Sequence, residues 1–274
     1  MRIGDHALQL RIETRMPEGH TIHRLALDLK KSLGSEGVRA SSPQGRFPEA
    51  TTLDGVVLRD AQAVGKHLLL FFGSEGACVH VHLGLFGRFR PVRAPFPEPR
   101  PTVRLRLAGS RACWDLVGPT ICELVGEDAV TKLRARLGAD PIASTPRPRT
   151  TWPRVHASKR SIGALLLDQS IFAGIGNVYR AELLFLLGVH PETRGNELTR
   201  PELEKLWSLA RALLARGVQA NRIVTVEGAT RRTRKRDALY VYRQRACRTC
   251  AGAIGSFRCG GRTIYYCPRC QPAR

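Results

Sequence analysis

One stretch decides the fold of the second half of this chain: residues 168–180 read DQSIFAGIGNVYR. An apolar segment precedes two spaced glycines, and helical spacing resumes at Asn177. The pattern therefore predicts a helix over 161–169, a tight turn, and a helix over 177–187. The amides after Gly176 would lie at a helix N-terminus, where the helix dipole favours a phosphate. Asn177 either caps that helix or donates to a phosphate oxygen, and the neighbouring glycines favour the phosphate.

The flanking sequence predicts a helical domain that follows a linker. Residues 144–153 read STPRPRTTWP, a composition that does not sustain regular structure for long. Thr199 and Glu202 form a capping box with Pro201 inside it. This box predicts a third helix that runs to about residue 216.

The first half of the chain carries β-type patterns. Short apolar runs bounded by Gly, Pro and Asp predict strands at 56–58, 67–72, 78–83 and 103–107. Before them, apolar residues recur at helical spacing from Ile22 to Leu33, and Gly34 supplies the stop. We therefore expect an α+β protein, with an amino-terminal β-sandwich and flanking helices ahead of the helical domain.

Two CxxC motifs near the carboxyl terminus give the strongest chemical signal. Cys247 and Cys250 are separated by sixteen residues from Cys267 and Cys270. This spacing suits four thiolates around one tetrahedral Zn²⁺, with a β-hairpin between the motifs. We expect a structural zinc finger rather than a disulfide pair or a redox site. Cys259 falls outside the pattern and is expected to be a spare thiol.

The charge of the chain points to a polyanionic partner. Its 44 Lys and Arg residues against 23 Asp and Glu residues give a formal net charge of +21. Nucleic acid is the simplest partner, and a membrane-surface protein or a ribosomal component are the alternatives. No apolar run reaches the roughly 18 residues of a transmembrane helix, and residues 1–15 lack the apolar core of a signal peptide. We expect a soluble cytoplasmic protein associated with the nucleoid.

The sequence Met16-Pro17-Glu18 has the form of a translation start inside the chain. Removal of Met16 would leave Pro17 with a free secondary amine, which is a strong nucleophile toward an aldehydic sugar carbon. Inside a peptide bond the same nitrogen is not basic. We therefore expect residues 1–15 to be a non-native or misassigned extension.

Three further features bear on DNA binding. Lys66 opens an apolar strand, Leu85 and Phe86 lie in a turn bounded by glycines, and Arg262 follows Gly261 at the tip of the predicted hairpin. Taken alone, Lys66 and Arg262 are equally consistent with solvated charges, and the apolar turn with a buried one. The functional interpretation is contact with phosphates by the two cations and a wedge in the base stack formed by the turn.

Together these motifs resemble the formamidopyrimidine-DNA glycosylase/endonuclease VIII (Fpg/Nei) family of DNA-repair enzymes. From Met16 to the carboxyl terminus they occur in the family's order: PEG at 17–19, GKHLLL at 65–70, HLGLFG at 82–87, LLLDQ and AGIGNVYRAELLF within 165–185, and GRTIYYCPRCQ at 261–271. The opening PEGHTIHRLA and the segment SSPQGRF look closest to the second endonuclease VIII-like paralogue of actinobacteria. The resemblance implies a β-sandwich, a helix–two-turn–helix domain and a zinc finger.

The resemblance also implies an activity and a set of site residues. A member of this family is a bifunctional DNA glycosylase and AP lyase of base excision repair, which removes an oxidised base and nicks the strand by β,δ-elimination. Pro17 would be the nucleophile and Glu18 the general acid, with Lys66 beside them at a flanking phosphate. The residues that match the family's DNA contacts are Lys66, Leu85, Phe86, Asn177 and Arg262.

The implied domain boundaries follow the motifs. Residues 16–145 would form the catalytic β-sandwich domain, residues 146–240 the linker and helix–two-turn–helix domain, and residues 241–274 the zinc finger. The implied cofactor is structural Zn²⁺. The implied partner is damaged double-stranded DNA, or bubble and single-stranded DNA, bound by a monomer that contacts no membrane.

Two departures from the family pattern bear on the substrate. Thr21, preceded by His20, stands where many members carry a glutamate, so no proton-shuttle role is carried over to it. Residues 219–239 form a basic segment in place of the long loop that covers a flipped purine. This favours oxidised pyrimidines, or single-stranded and bubble substrates. The alternatives are a purine-type glycosylase for 8-oxoguanine and formamidopyrimidine, and a non-catalytic damaged-DNA binding protein if the extension is retained.

Overall fold

The computed structural model describes residues 17–74, 76–144 and 150–274. The chain divides into two compact units. The first contains Pro17, Leu29–Asp60 and Leu70–Val125, and the second contains Glu18–Asp28, Ala61–Leu69 and the chain from Gly126 onward. Among the described residues, no helix is both long enough and apolar enough to cross a membrane.

The β-structure is an eight-stranded sheet in the order β5-β7-β6-β1-β2-β3-β4-β8. Its strands are β1 (Gly37–Ser41), β2 (Val56–Val64), β3 (His67–Phe72), β4 (Ala77–His82), β5 (Arg88–Val92), β6 (Val103–Ala108), β7 (Cys113–Val117) and β8 (Ile121–Val125). Two four-stranded halves meet where β1 pairs with β2, through Gly37 opposite Val57 and Val38 opposite Val56. The four strands predicted from the sequence are present as β2, β3, β4 and β6.

The strand β6 shows why these residues form a half-buried sheet. Val103, Leu105 and Leu107 alternate along it and are fully buried. Arg106 is also buried, because its guanidinium donates to both Asp115 oxygens, at 2.7 and 2.8 Å, and to the Pro97 carbonyl. A buried charge is tolerated when it is paired in this way.

Helix α1 (Gly19–Leu33) begins two residues after Pro17. Its apolar face is buried at the predicted spacing, at Ile22, Leu25, Ala26, Leu29 and Leu33. Gly34 then ends the helix, with its amide donating to the Lys30 carbonyl. A Cβ at Gly34 would lie 2.4 Å from that carbonyl oxygen, so glycine is required there.

The second unit is mainly helical. Its helices are α2 (Glu127–Arg136), α3 (Trp152–His156), α4 (Ile162–Leu165), α5 (Asn177–Leu187) and α6 (Arg200–Ala220), and its hairpin is β9 (Gly255–Cys259) with β10 (Arg262–Tyr266). A single apolar cluster joins α4, α5, α6 and the hairpin, and includes Leu165, Tyr179, Leu206, Leu214 and Ile264. The hairpin is therefore packed on the helices.

The helix ends agree with the predicted signals, with some differences. Helix α5 has the predicted bounds and ends at Gly188 in the left-handed conformation. Helix α6 starts with the predicted capping box between Thr199 and Glu202, but it continues to Ala220. The helix predicted over 161–169 is limited to Ile162–Leu165, because Asp168 accepts from the Ser170 amide and turns the chain.

The predicted linker over 144–153 is partly ordered. Residues 145–149 lie outside the described part of the chain, but Trp152 and Pro153 open helix α3. Proline suits a first helical turn, since the amide it lacks has no partner there. Trp152 is buried edge-on against Trp207 of α6, which holds this short helix in place.

Candidate active site and nucleic-acid interface

Glu18 is buried against the N-terminus of helix α5. Its carboxylate accepts from the backbone amides of Gly176 at 3.0 Å, Val178 at 2.8 Å and Tyr179 at 3.3 Å. A Cβ at Gly176 would lie 2.3 Å from the Glu18 carboxyl carbon, so only glycine admits this approach. The helix N-terminus that the sequence suggested for a phosphate is therefore occupied by a carboxylate, which the helix dipole stabilises in the same way.

Opposing effects act on the acidity of Glu18. Burial raises the pKa of its carboxyl group, while the Lys66 ammonium and the three backbone amides oppose that rise. A raised pKa makes a carboxylic acid easier to keep protonated, as a general acid requires. The three fixed amides at the same time hold its carboxyl group in one orientation.

The segment that carries Glu18 is fixed by a close glycine contact. The Gly19 amide donates to the Gly174 carbonyl at 2.8 Å. A Cβ on Gly19 would lie 2.8 Å from the Gly174 Cα, which real structures do not tolerate. The glycine turn predicted from the sequence thus positions the residue next to Glu18 as well as helix α5.

Lys66 lies half-buried in the turn between β2 and β3, after Gly65 with a φ of 59°. Burial lowers the pKa of Lys66 to about 8; the Glu18 carboxylate opposes this change and the Arg262 guanidinium adds to it. Because both groups act on the same ammonium, Glu18, Lys66 and Arg262 share one electrostatic environment. The structure brings these three predicted residues together.

The turn that presents Lys66 is held by a group that the sequence analysis missed. Buried Asp140 accepts from the Gly65 amide at 2.8 Å and from the Ile142 amide at 3.0 Å. Its carboxylate also lies 2.9 Å from His23 Nε2. These residues are 75 and 117 positions from Asp140 in the chain, so no spacing pattern could have revealed the contact.

His20 is a packing residue in this structure. It is buried edge-on against Tyr179, with ring centroids 5.3 Å apart. Burial, together with the neighbouring His23, lowers the pKa of His20 to about 3, so the ring is neutral at physiological pH. A Cβ at Gly217 of α6 would lie 2.1 Å from the Tyr179 hydroxyl and 3.0 Å from the His20 ring, so α6 needs a glycine here.

Asn177 is buried and does not cap helix α5, whose N-cap is Gly176. Its amide nitrogen donates to the Thr263 carbonyl of the hairpin at 3.0 Å. Arg180, fully buried one turn later, donates to the Asn177 side-chain oxygen and to the carbonyls of Gly163 and Cys259. Asn177 and Arg180 thus hold the hairpin on α5, and the phosphate contact expected of Asn177 stays a prediction.

Arg262 is exposed at the start of β10. Gly260 and Gly261 precede it with φ values of 59° and 78°, a conformation that glycine adopts without strain. The predicted hairpin turn is confirmed, and it places the Arg262 guanidinium at the hairpin tip.

In the first unit, the turn between β4 and β5 exposes two large apolar side chains. Leu85 is 44% exposed and Phe86 is 63% exposed. Gly84 before them has a φ of 64°, and a Cβ there would collide with the Thr120 hydroxyl. Adjacent exposed apolar residues on a built turn suit a wedge for a base stack, and they exclude the buried alternative.

The four cysteines of the two CxxC motifs form one cluster. All four sulfur atoms lie within 4.8 Å of one another, with Cys247 and Cys270 at 3.8 Å and Cys250 and Cys267 at 3.5 Å. Four sulfurs at about 2.3 Å from a tetrahedral Zn²⁺ lie about 3.8 Å apart. The donor set and its spacing therefore fit zinc, and Cys259 is not part of the cluster.

The cluster is tied to the helical unit by Gln271. Its side chain accepts from the Cys267 amide at 2.9 Å and donates to the Val189 carbonyl at 2.8 Å, and it is fully buried. A metal bound by the four cysteines would stabilise the finger and, through it, the tip that carries Arg262.

Two family descriptions match the chain. The formamidopyrimidine-DNA glycosylase N-terminal domain matches residues 16–116, and the formamidopyrimidine-DNA glycosylase H2TH domain matches residues 137–227. Among curated relatives, endonuclease 8 1 of Mycobacterium tuberculosis is 42% identical over 268 residues, covering 93% of this chain and 100% of its own. The DNA-(apurinic or apyrimidinic site) lyase Nei2 of Mycolicibacterium smegmatis is 33% identical over 263 residues, covering 94% and 100%.

These identities bear on the branch suggested by the opening motif. The segment PEGHTIHRLA pointed to the second actinobacterial paralogue, whereas whole-chain identity is higher to endonuclease 8 1 than to Nei2. Ten residues and a whole chain sample different constraints, so the motif and the identity support different branches of one family.

A solved structure of similar fold agrees with the family match. The Lactococcus lactis Fpg in complex with DNA containing an abasic site superposes with a TM-score of 0.78 at 21% identity, covering 93% of this chain and 100% of that one. The predicted fold class, a sheet domain followed by a helix–two-turn–helix domain and a four-cysteine finger, is confirmed. The chain belongs to the formamidopyrimidine-DNA glycosylase/endonuclease VIII family.

Proposed function

We propose that this protein is a bifunctional DNA glycosylase and AP lyase that acts on oxidised pyrimidines and on abasic sites. The observation that carries the proposal is the shared environment of Glu18, Lys66 and Arg262 directly after Pro17. It puts a buried carboxyl group and two cations beside a residue whose amine can act as a nucleophile. The names of the relatives support the same class of activity.

In the proposed reaction Pro17 is the first residue of the active form. Its nitrogen lone pair forms a bond to the sugar C1′ as the glycosidic bond breaks, and the departing base takes that bond's electrons and a proton. The amine loses its own proton, and an iminium forms when the sugar ring opens. This positive charge acidifies the adjacent C2′–H, so proton loss there expels the 3′ phosphate and a second elimination expels the 5′ phosphate.

Glu18 supplies the proton for ring opening. The sugar ring oxygen accepts a proton as its bond to C1′ breaks, and a carboxyl group with a raised pKa can donate it. The amides of Gly176, Val178 and Tyr179 then stabilise the carboxylate left behind. The same three donors that orient the acid thus favour the proton transfer.

The DNA is held by cations and by an apolar wedge. Lys66 and Arg262 bind phosphates that flank the lesion, and Asn177 supports the same strand from α5. Leu85 and Phe86 fill the gap that the extruded nucleotide leaves in the base stack. Zn²⁺ bound by the four cysteines is structural, since a closed four-cysteine site leaves no position for a substrate.

The experiment that tests this function is an incision assay with a chain that starts at Pro17. The substrates are duplexes with thymine glycol, 5-hydroxyuracil, 8-oxoguanine or an abasic site, and bubbles with the pyrimidine lesions. We expect cleavage of the abasic site and of the pyrimidine lesions at least tenfold faster than cleavage of 8-oxoguanine. Faster cleavage of 8-oxoguanine would replace the pyrimidine assignment with a purine one.

We predict that DNA affinity falls as pH rises above 8, because Lys66 loses its proton there. The pKa of Lys66 is lowered to about 8, so its ammonium is fully present well below pH 8 and is lost above it. A bound phosphate stabilises the ammonium, so the affinity falls across the interval between the free and the bound pKa. Fluorescence anisotropy with duplex DNA that carries a stable abasic analogue would measure this from pH 6.5 to 9.5.

The matched control for this measurement is Lys66→Arg. A guanidinium remains charged throughout the range, so the variant should bind at pH 7 and show no fall above pH 8. An equal fall in the variant would assign the pH dependence to another group.

A further inference from the structure

A basic loop occupies residues 226–237 in the second unit. We use the name basic loop for these residues, which read VEGATRRTRKRD. Its five cations are all exposed: Arg231, Arg232, Arg234, Lys235 and Arg236. With Glu227 and Asp237 as the two acids, the loop carries a formal net charge of +3. The reaction proposed above uses none of these residues.

The two ends of the basic loop are fastened to each other. The amides of Thr225 and Val226 both donate to the Ala238 carbonyl, at 2.9 and 3.3 Å. The Thr225 hydroxyl donates to the same oxygen and to the Glu182 carboxylate. The loop therefore has a closed neck.

The neck is anchored on helix α5 through Glu182. This fully buried carboxylate also accepts from the amides of Tyr240, Val241 and Tyr242 at 2.7, 2.9 and 2.8 Å. One side chain thus holds the chain on both sides of the basic loop. Helix α5 is also the helix whose N-terminus binds Glu18, so the loop and the acid are built on one rigid element.

The interior of the basic loop is ordered by backbone contacts. Arg222 donates to the carbonyls of Arg231 and Thr233 at 3.0 and 2.8 Å. The Thr230 amide donates to the Thr233 hydroxyl, and the Arg232 amide donates to the Thr230 hydroxyl. These contacts shape the backbone without using the guanidinium groups of Arg231 and Arg232.

The acid at the end of the basic loop is already matched by arginines. Asp237 pairs with Arg234 at 3.0 Å and with Arg248, outside the loop, at 3.0 Å. It therefore offsets little of the charge at Arg231 and Arg232. An ordered loop that presents exposed cations loses less conformational entropy when it binds a polyanion than a flexible tail does.

We propose that the basic loop binds the phosphate backbone of the substrate DNA, and that it does not cover the extruded base. The loop contains no aromatic residue on which a base could stack, while guanidinium groups bind phosphate oxygens in pairs. The inference deepens the proposed repair function, since it rests on DNA being the substrate. It assigns Arg231 and Arg232 to affinity and not to choice of lesion.

The test compares two double variants with the same charge change. Arg231→Gln with Arg232→Gln removes two cations from the basic loop. Lys205→Gln with Arg211→Gln removes two exposed cations from α6 and is the control. Binding of lesion-free single-stranded and duplex oligonucleotides is measured from 50 to 300 mM salt, with zinc content and thermal unfolding as checks of folding.

The loop variant should lower the slope of log K against log salt by about 1.4 on single strands and about 1.8 on duplexes, at about 0.7 and 0.9 for each phosphate. At 0.15 M salt this corresponds to binding about tenfold weaker on single strands. The control should keep the slope of the parent chain. A reduction on either form of DNA, absent from the control, supports the proposal.

Equal slopes in the loop variant, the control and the parent would overturn the proposal. So would a loop variant that keeps its salt slope but loses incision of one lesion class, since that result would make the loop a base-recognition element. Lesion-free DNA keeps this test independent of the chemistry. If the proposed function failed, abasic DNA would not be cleaved while the slopes could still differ.

Discussion

A chain that starts at Pro17 is expected to form a covalent adduct with abasic DNA under borohydride, and a chain that retains residues 1–16 is expected to form none. The physical reason is the state of one nitrogen atom. As a free secondary amine it carries a lone pair that attacks the sugar carbon, and as an amide it shares that pair with the carbonyl. Borohydride reduces the iminium to a stable amine, so a gel shift of the protein measures the yield.

The control for trapping is a chain that starts at Pro17 and carries Pro17→Gly. Its primary amine can still form an imine, so some adduct should remain, formed more slowly. An adduct of equal yield from the chain with residues 1–16 intact would assign the nucleophile to another residue. No adduct from either chain, with lesion binding retained, would make the protein the non-catalytic damaged-DNA binding protein considered above.

Glu18→Gln is expected to lower the rate of base removal by about 10²- to 10⁴-fold, the range that general acid catalysis contributes. The amide cannot donate a proton to the ring oxygen as a carboxylic acid does. The loss should be smaller on a pre-formed abasic site, whose sugar already opens to the aldehyde in water. Single-turnover rates on a thymine-glycol duplex and on an abasic duplex, at saturating protein, would measure both effects.

The matched control is Glu182→Gln. Both glutamates are buried carboxylates that accept three backbone amides, so both variants lose acceptor capacity and should lose stability, at a cost of about 1–3 kcal/mol. Only Glu18 lies beside Lys66. A Glu182→Gln variant as slow as Glu18→Gln at saturating protein would show that lost stability, and not a lost acid, explains the rate.

Local patterns in the sequence were sufficient for the secondary structure that frames the site. The capping box at Thr199 and the glycine at Gly188 predicted two helix ends, because caps satisfy backbone groups within one turn of themselves. The alternation at Val103, Leu105 and Leu107 predicted β6 in the same way. The two CxxC motifs predicted the cysteine cluster, since four thiolates at that spacing have few other arrangements.

Contacts between distant residues were beyond such patterns. The sequence suggested a phosphate at the N-terminus of α5, and the structure places Glu18 there, about 160 residues away in the chain. Asn177 was expected to contact phosphate or cap its helix, and its amide holds the Thr263 carbonyl instead. A helix N-terminus attracts negative charge from any source, so only the tertiary structure decides which source reaches it.

The sequence by itself determined the elements, the cysteine cluster and the nucleophile at Pro17, because each depends on neighbours within a few residues or on a repeated spacing. The tertiary structure decided the acidity of Glu18 and Lys66, the support of Lys66 by Asp140, and the anchoring of the basic loop on Glu182. Those properties depend on burial and on charges that come together only when the chain folds. The electrostatics of the site is therefore a property of the fold and not of any motif.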